Sequence, residues 1–362
     1  MATIEPYKTS GGRRYMVRYR KPNRRQTTKR GFETKRAAER FAANVEVSKD
    51  RGEYIDPSKS RATIGELGPK WLARQTHLKP SSYRPLEITW RIHVEPIWAE
   101  HRVNAVNNDE VQDWVSGLSK KRGATTVIRA FGVLSAILEE AVRNRRLLKN
   151  PCNDIKLPRK ISKAHTYLSH AQVHALARES KSFQAVILVL AYCGIRWGEL
   201  TGLRVRDVNL SRRRLSIEQN AVEVGVEIIV GTPKNHERRW VPYPELLDSY
   251  LQAACKNKLP DALVFSSPDG TFMRRTRANE KSGGWFAGAV RRSGVPQLTP
   301  HDLRHTAASL AVQSGANVKA VQRMLGHKSA AMTLDIYADL FEDDLEAVAE
   351  AMNAAAAPYI TA

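Results

Sequence analysis

Early in the chain, apolar or aromatic residues recur at every second place. Tyr15, Val17 and Tyr19 alternate with Met16, Arg18 and Arg20. A period of two predicts a strand, and the Pro22-Asn23 step predicts a turn into a second one. Thr34 then predicts the cap of a helix reaching about Asp50. From Thr63 the period becomes helical. Thr63 and Glu66 make a capping-box pattern ahead of Leu67 and Trp71. A second helix is expected from about Ser82 to Val94, and a third on Val111, Trp114, Val115 and Leu118. A fourth carries Val127, Phe131, Leu134, Leu138 and Ala141, with Asn150-Pro151 expected to end it. The stretch CNDIKLPRKISKAH, Cys152 to His165, reads as an extended basic linker. Ser169 opens another capped helix, after which helices mix with a small sheet. RRLSIEQN and RRWVPY read as its strands, with GTPKNHE as a turn.

The pattern predicts a multidomain α+β protein. Residues 1–60 form a small basic β-ribbon and helix module, and residues 61–158 an all-helical domain. Residues 165–362 form a mainly helical domain with a small antiparallel sheet and a C-terminal tail. In that tail Phe341, Leu345, Val348 and Met352 recur at helical spacing beside Asp339, Glu342, Asp343, Asp344, Glu346 and Glu350. Such a stripe packs either on its own domain or on a neighbouring protomer.

Charge narrows the class. The 362 residues carry a formal net charge of +21, with 42% hydrophobic residues. A globular chain this basic is expected to meet nucleic acid, with an anionic membrane surface a distant second. No apolar run approaches a spanning length and the N-terminus lacks a signal-peptide core, so the expected location is the cytoplasm. Cys152, Cys193 and Cys255 lack metal or redox spacing and read as reduced core residues. From Arg13 to Arg30 there are nine basic residues and no acidic one. Arg13, Arg14, Arg18, Arg20, Arg24 and Arg25 are therefore candidate DNA contacts on a ribbon that fits a groove. Further basic clusters at Lys120, Lys121, Arg122, Arg145 and Arg146 can grip phosphates. There is no Walker-type loop, so ATP use is not expected.

The densest chemistry lies in HDLRHTAASLAVQSG, His301 to Gly315. Thr299 and Pro300 read as N-cap and first helical residue, Asp302 as the capping-box acid and Gly315 as the stop. Leu303, Ala307, Leu310 and Ser314 fall on one side; His301, Arg304, His305 and Ala308 fall on the other. The first side is expected against a core and the second toward a cleft. Three readings are open for that second side. It is a solvated face, or a zinc site on His301 and His305, or a phosphate site on Arg304 and the helix end. A permanent cation between the two imidazoles disfavours zinc.

Three further stretches accompany it. CGIRWGEL places Arg196 on a helix beside Glu199, and GTPKNHERRWVPY places Lys234 on a turn. LGHKSAAMTLDIYADL places His327 after Gly326 and Tyr337 on the next helix. Taken together, Arg196 with GEL, Lys234, His301 with Arg304, LGH at His327, and Tyr337 resemble the tyrosine recombinases of the phage-integrase kind. The resemblance spans about residues 165–340 in order. It implies a site-specific DNA recombinase that integrates or excises a mobile element through a 3′-phosphotyrosyl intermediate. Tyr337 would be the nucleophile, with Arg196 and Arg304 clamping the phosphate and His301 and His327 donating or moving protons. Lys234 would be the general acid and Glu199 an orienting group, with His305 structural. No cofactor and no metal are implied.

The same resemblance makes residues 1–60 an arm-type DNA-binding module and residues 61–158 a core-binding domain. The implied partners are double-stranded DNA with core-type and arm-type sites, and three further copies of the chain in a homotetramer. A host bending protein and a directionality factor are accessory partners of such enzymes. Asp339 departs from the pattern, standing where many relatives carry histidine. A type IB topoisomerase shares the chemistry without needing residues 1–60. A non-enzymatic DNA-binding regulator accounts for the charge but not for the spaced Arg, Lys, His and Tyr.

Overall fold

The computed structural model describes residues 2–57, 59–161, 165–232, 238–276, 284–337 and 344–360. The chain divides into two compact units, residues 1–162 and 163–362.

The first unit holds two separate apolar clusters. One lies under an antiparallel sheet, β1 (Thr3–Thr9), β2 (Gly12–Arg20) and β3 (Gln26–Phe32), paired in that order. Helix α1 (Lys35–Asp50) packs on it, and Thr34 Oγ1 accepts from the Ala37 N–H at 3.1 Å. Val17 and Tyr19 point inward onto Ala38, Ala42 and Val45, while Arg18 and Arg20 face solvent, as the alternation of β2 requires. The sheet has three strands where the sequence predicts two. Strand β1 carries Pro6, which has no N–H for a ladder and is tolerated because β1 is an edge.

The second cluster is built by α2 (Ile64–Ala73), α3 (Pro80–Thr89), α4 (Glu95–Trp98), α5 (Asn108–Ser119) and α6 (Ala124–Arg143). A π-helical turn, Trp90–Val94, joins α3 to α4, so this helical run starts earlier and ends later than its periodicity implies. Trp71, Trp90, Trp98 and Trp114 share the core with Val127, Leu134 and Leu138. The rings of Trp98 and Trp114 meet edge to face with centroids 5.7 Å apart. Gly68 lets α2 close on Trp90, since a Cβ there would lie 2.1 Å from the ring.

Two expectations at the end of this unit need correction. Helix α6 stops at Arg143, with Asn144 as its cap and Arg145 in the left-handed region at φ 53°, several residues before Asn150-Pro151. Asn150 is instead buried, its amide donating to Ser135 O and Glu139 Oε2, both at 3.0 Å. Nor is the stretch from Cys152 a free linker at its start. Cys152 is buried, and Ile155 and Leu157 pack on the same core. Gln112 bonds both the N–H and the carbonyl of Lys156.

The second unit contains α7 (His170–Glu179), α8 (Gln184–Cys193), α9 (Trp197–Thr201), β4 (Val208–Asn209), β5 (Arg214–Ile217), β6 (Asn220–Val224), β7 (Glu227–Gly231) and β8 (Arg239–Pro242). After these come α10 (Asp248–Cys255), α11 (Trp285–Ser293), α12 (Asp302–Gln313), α13 (Val318–Leu325), α14 (Ala330–Tyr337) and α15 (Asp344–Ile360). Two antiparallel sheets form, β4-β5-β8 and the hairpin β6-β7, where one was expected. Helix α8 is apolar on all sides and runs through the core, as such a helix must.

Helix α12 packs against both α8 and α13, so beyond His301 the polar side predicted to line a cleft is covered as well. Arg304, His305, Thr306 and Ser309 are all buried beside Leu303 and Leu310. Its start also differs from the expected cap. The first helical residue is Asp302, whose carboxylate accepts from both the N–H and the hydroxyl of Thr299 at 2.7 Å. In α15, Met352 and Tyr359 are exposed; Asp339 and Phe341 lie outside the described residues. No helix among the described residues is long and apolar enough to cross a membrane.

Candidate active site

Six elements bring the candidate residues together. Helix α8 ends on Gly194 in the left-handed region at φ 61°, which turns its carbonyl toward α12. Arg304, only 3% exposed, donates there from Nη1 at 2.5 Å and to the Leu325 carbonyl from Nη2 at 2.6 Å. Its guanidinium is thereby tied to the C-terminal ends of α8 and α13, where orphan carbonyls favour a cation. Arg196 is not on a helix, as its motif implied, but caps α9 in an extended conformation, with ψ 153°.

Glu199, one turn into α9, is 1% exposed. Its Oε1 accepts from Arg196 Nη1 at 2.9 Å and Arg239 Nη1 at 3.0 Å. Its Oε2 accepts from the Arg196 N–H at 2.9 Å and Arg239 Nη2 at 2.6 Å. Burial alone would raise this carboxyl. The Arg239 hydrogen bonds and charge, then Arg196, hold it instead at about 2. Glu199 is thus a buried organiser of two arginines rather than a surface ion pair.

Arg239 is a residue the sequence reading missed. It sits at the start of β8, packs its side chain against Gly326 and donates from Nε to the Met324 carbonyl at 3.3 Å. Nothing about one arginine in RRWVPY distinguishes it; the pairing of β8 beside the α13 terminus does. Among the described residues, Glu199 is the only carboxylate bonded to Arg196 or Arg239, and Arg304 is bonded to carbonyls alone. Burial, then the Arg196 charge, pulls the Arg304 guanidinium down to about 9, so it stays charged at neutral pH. Three clustered guanidiniums against one carboxylate leave an excess positive charge that an anion would neutralise.

The histidines and Tyr337 surround this charge. His327 follows the left-handed Gly326 and bonds Thr333 Oγ1 through Nδ1 at 3.0 Å; burial and Arg304 hold it at about 4. His301 is exposed at the rim, lowered by desolvation and by Arg304, and with Arg196, Asn220 and Arg275 it lines a cavity of about 270 Å³. Tyr337 ends α14 and is 1% exposed, its ring parallel to His327 with centroids 6.4 Å apart. Burial pushes its hydroxyl up to about 12, which the Arg304 charge partly opposes.

The Tyr337 Oη is hydrogen-bonded to His305 Nδ1 at 2.8 Å. His305 was expected to be structural, so this contact is a second feature that sequence reasoning missed. His165, the last residue of the expected linker, is not free but stacks on His305, with ring centroids 4.0 Å apart. Ligand atoms of His165, Asp302 and His305 lie within 4.8 Å of one another, a different trio from the His301–His305 pair of the zinc reading. Lys234 lies outside the described residues.

Residues 166–343 match the phage integrase family, and residues 5–49 match an arm DNA-binding domain. The chain belongs to the phage integrase family of tyrosine recombinases. It is an enzyme that cuts and rejoins DNA strands at specific sites. The integrase of Mycobacterium phage L5 is 28% identical over 72% of this chain and 71% of its own. That of Mycobacterium phage D29 is 24% identical over 84% of each. The fold is shared with a Tn1549 transposon integrase solved with a circular intermediate DNA, at TM-score 0.66 and 22% identity, covering 76% of this chain and 95% of that one. It is also shared with a lambda integrase tetramer bound to a Holliday junction, at TM-score 0.59 and 16% identity, covering 90% and 96%.

The candidate DNA contacts of the enzyme belong to the first unit. Arg13, Arg14, Arg18 and Arg20 are on β2, and Arg24 and Arg25 are on the following turn. Arg14 pairs with Glu33 at 2.6 Å and Arg18 with Glu5 at 3.3 Å, exposed pairs that a phosphate can displace cheaply. Lys120, Lys121 and Arg122 are exposed at the α5–α6 turn and Arg145 after α6. Arg146 is half-buried and donates to the Lys59 carbonyl at 3.0 Å, which gives it a structural task.

Proposed function

We propose that the cationic cluster binds the scissile phosphate and that Tyr337 attacks it. The observation that carries this reading is the trio Arg196, Arg239 and Arg304 around one buried Glu199, next to a buried tyrosine hydroxyl. Attack on a phosphodiester builds negative charge on its non-bridging oxygens, and guanidiniums donate two charge-assisted bonds each to such oxygens. Arg196 and Arg304 fill that role, with Glu199 fixing Arg196. His301 and His327 donate to the phosphate or move protons, and Lys234 protonates the leaving 5′ oxygen. The 3′-phosphotyrosyl ester keeps the bond energy for religation, so neither ATP nor a metal is needed. Incubated with a nicked duplex taken from the DNA beside its own gene, in chelator without nucleotide, the enzyme should form an adduct stable in denaturant. Peptide mapping should place that adduct on Tyr337. An adduct that forms only with added metal, or maps elsewhere, would overturn the reading.

Residues 1–60 then bind arm-type sites through Arg13, Arg14, Arg18, Arg20, Arg24 and Arg25. Residues 61–158 bind core-type sites through Lys120, Lys121, Arg122 and Arg145, with Arg146 holding the surface that presents them. The chain acts as a homotetramer on paired double-stranded sites in a bacterial cytoplasm, encoded by a phage or prophage. A host bending protein and a directionality factor assist it, and the C-terminal helix packs either on its own domain or on a neighbouring protomer. Tethering two DNA-binding modules raises the effective concentration of the second. Deleting residues 1–60 should therefore spare cleavage of a short core duplex and abolish recombination that requires distant arm sites. Gel-shift and recombination assays on the same DNAs check this; undiminished arm binding by the truncated protein would refute the module's role.

A further inference from the structure

We propose that His305 is the proton acceptor for the Tyr337 nucleophile. Of the four described histidines His165, His301, His305 and His327, His305 is the one hydrogen-bonded to the tyrosine Oη, through Nδ1 at 2.8 Å in a buried environment. His327 spends its Nδ1 on Thr333, and His301 stands at the exposed rim with its ring edge-on to His305. The inference rests on Tyr337 being the nucleophile. As Oη forms its bond to phosphorus, its proton passes to Nδ1 of His305. The bond from phosphorus to the 5′ oxygen breaks, and that oxygen takes a proton from the general acid opposite. On religation the steps reverse, and His305 returns its proton to the departing phenolate.

The surroundings suit a base that is idle without DNA. The groups facing His305 are His165 stacked on one side, His301 and Arg304 from its own helical segment, Asp302 at the helix start, and Tyr337 itself. Burial, then the neighbouring His165 and His301, holds the imidazole at about 4, while burial holds the tyrosine at about 12. At neutral pH the free enzyme therefore keeps a neutral imidazole and a protonated hydroxyl. A bound phosphate brings negative charge into the pocket, which favours imidazolium over imidazole as the attack proceeds. The proton acceptor must carry its own hydrogen on Nε2, leaving Nδ1 bare.

His305→Asn keeps a hydrogen-bonding group near the Nδ1 position but cannot take a proton. In single-turnover cleavage of a nicked core duplex, it should be slower by on the order of 10²- to 10⁴-fold with unchanged core-site affinity. A duplex with sulfur in place of the bridging 5′ oxygen needs no general acid, so the variant should remain slow on it. Wild-type rates in His305→Asn, or rescue by the sulfur substrate, would overturn the assignment. Should the variant fail to fold, nitrogen-15 histidine spectra of the wild type decide through the signal that moves in Tyr337→Phe. An Nε2–H tautomer supports the proposal and an Nδ1–H tautomer overturns it. If Tyr337→Phe still forms an adduct, the nucleophile reading itself has failed; if that adduct is lost while His305→Asn cleaves normally, only the role of His305 has.

Discussion

Tyr337→Phe should abolish the covalent protein–DNA adduct, a loss on the order of 10⁴-fold or more in cleavage, while leaving core-site binding intact. The substitution removes one oxygen and keeps the ring, which packs with Ala308, Val312, Val321 and Leu325. The fold should survive. Its one structural cost is the lost partner of His305 Nδ1, about 1 kcal/mol for a buried hydrogen bond. A denaturing gel of protein with nicked core duplex reads the adduct, and a gel shift with the same DNA reads binding. Loss of binding in parallel with the adduct would make Tyr337 a structural residue instead. Retention of the adduct would place the nucleophile elsewhere.

Glu199→Gln should cost about 3–5 kcal/mol of stability, because it leaves Arg196 and Arg239 without their buried counter-charge. The carboxyl stands at about 2 against an ordinary 4.5, a difference worth about 3 kcal/mol by linkage. A folded value below the unfolded one means the carboxylate stabilises the fold fully above about pH 4.5. That contribution is lost as pH falls through about 2. The wild type should therefore melt progressively lower across that acid window, and the variant should have lost this part of the pH dependence. Sulfate or phosphate should raise the melting temperature of Glu199→Gln more than that of the wild type, since an anion replaces the missing charge. Equal melting of the two proteins at neutral pH, with no anion effect, would show that the arginines do not depend on Glu199. Cleavage should fall as well, because Arg196 loses its orientation.

Much of the local structure was legible because its causes are local. The alternation Tyr15, Val17, Tyr19 against Arg18 and Arg20 marks β2, and Thr63 with Glu66 marks the start of α2. Gly326 after the apolar periodicity of α13 marks its left-handed end, and so places His327. Each depends on residues within a turn or a strand of one another. The motif residues Arg196, Glu199, His301, Arg304, His327 and Tyr337 are legible because several separated motifs stand in order, and all six fall within the segment that matches the phage integrase family.

Only the tertiary structure decided what those residues touch. The amphipathic split of α12 implied an open polar side, yet packing between α8 and α13 buries Arg304 and His305 there. Arg239 lies 40 residues from Glu199, and the bond from His305 to Tyr337 spans 32, so neither contact leaves a periodic trace in the chain. Strand β1 is not legible in the sequence because its pairing with β2, rather than its own composition, makes it a strand. Charge shows the same division. Basic residues can be counted along a sequence, but their protonation and strength depend on burial and on which opposite charge lies within a few ångströms. The chain by itself determined that arginines, histidines and a tyrosine are available for phosphate chemistry. The fold decided that two arginines share one carboxylate beside the buried Arg304, and that the tyrosine hydroxyl rests on His305.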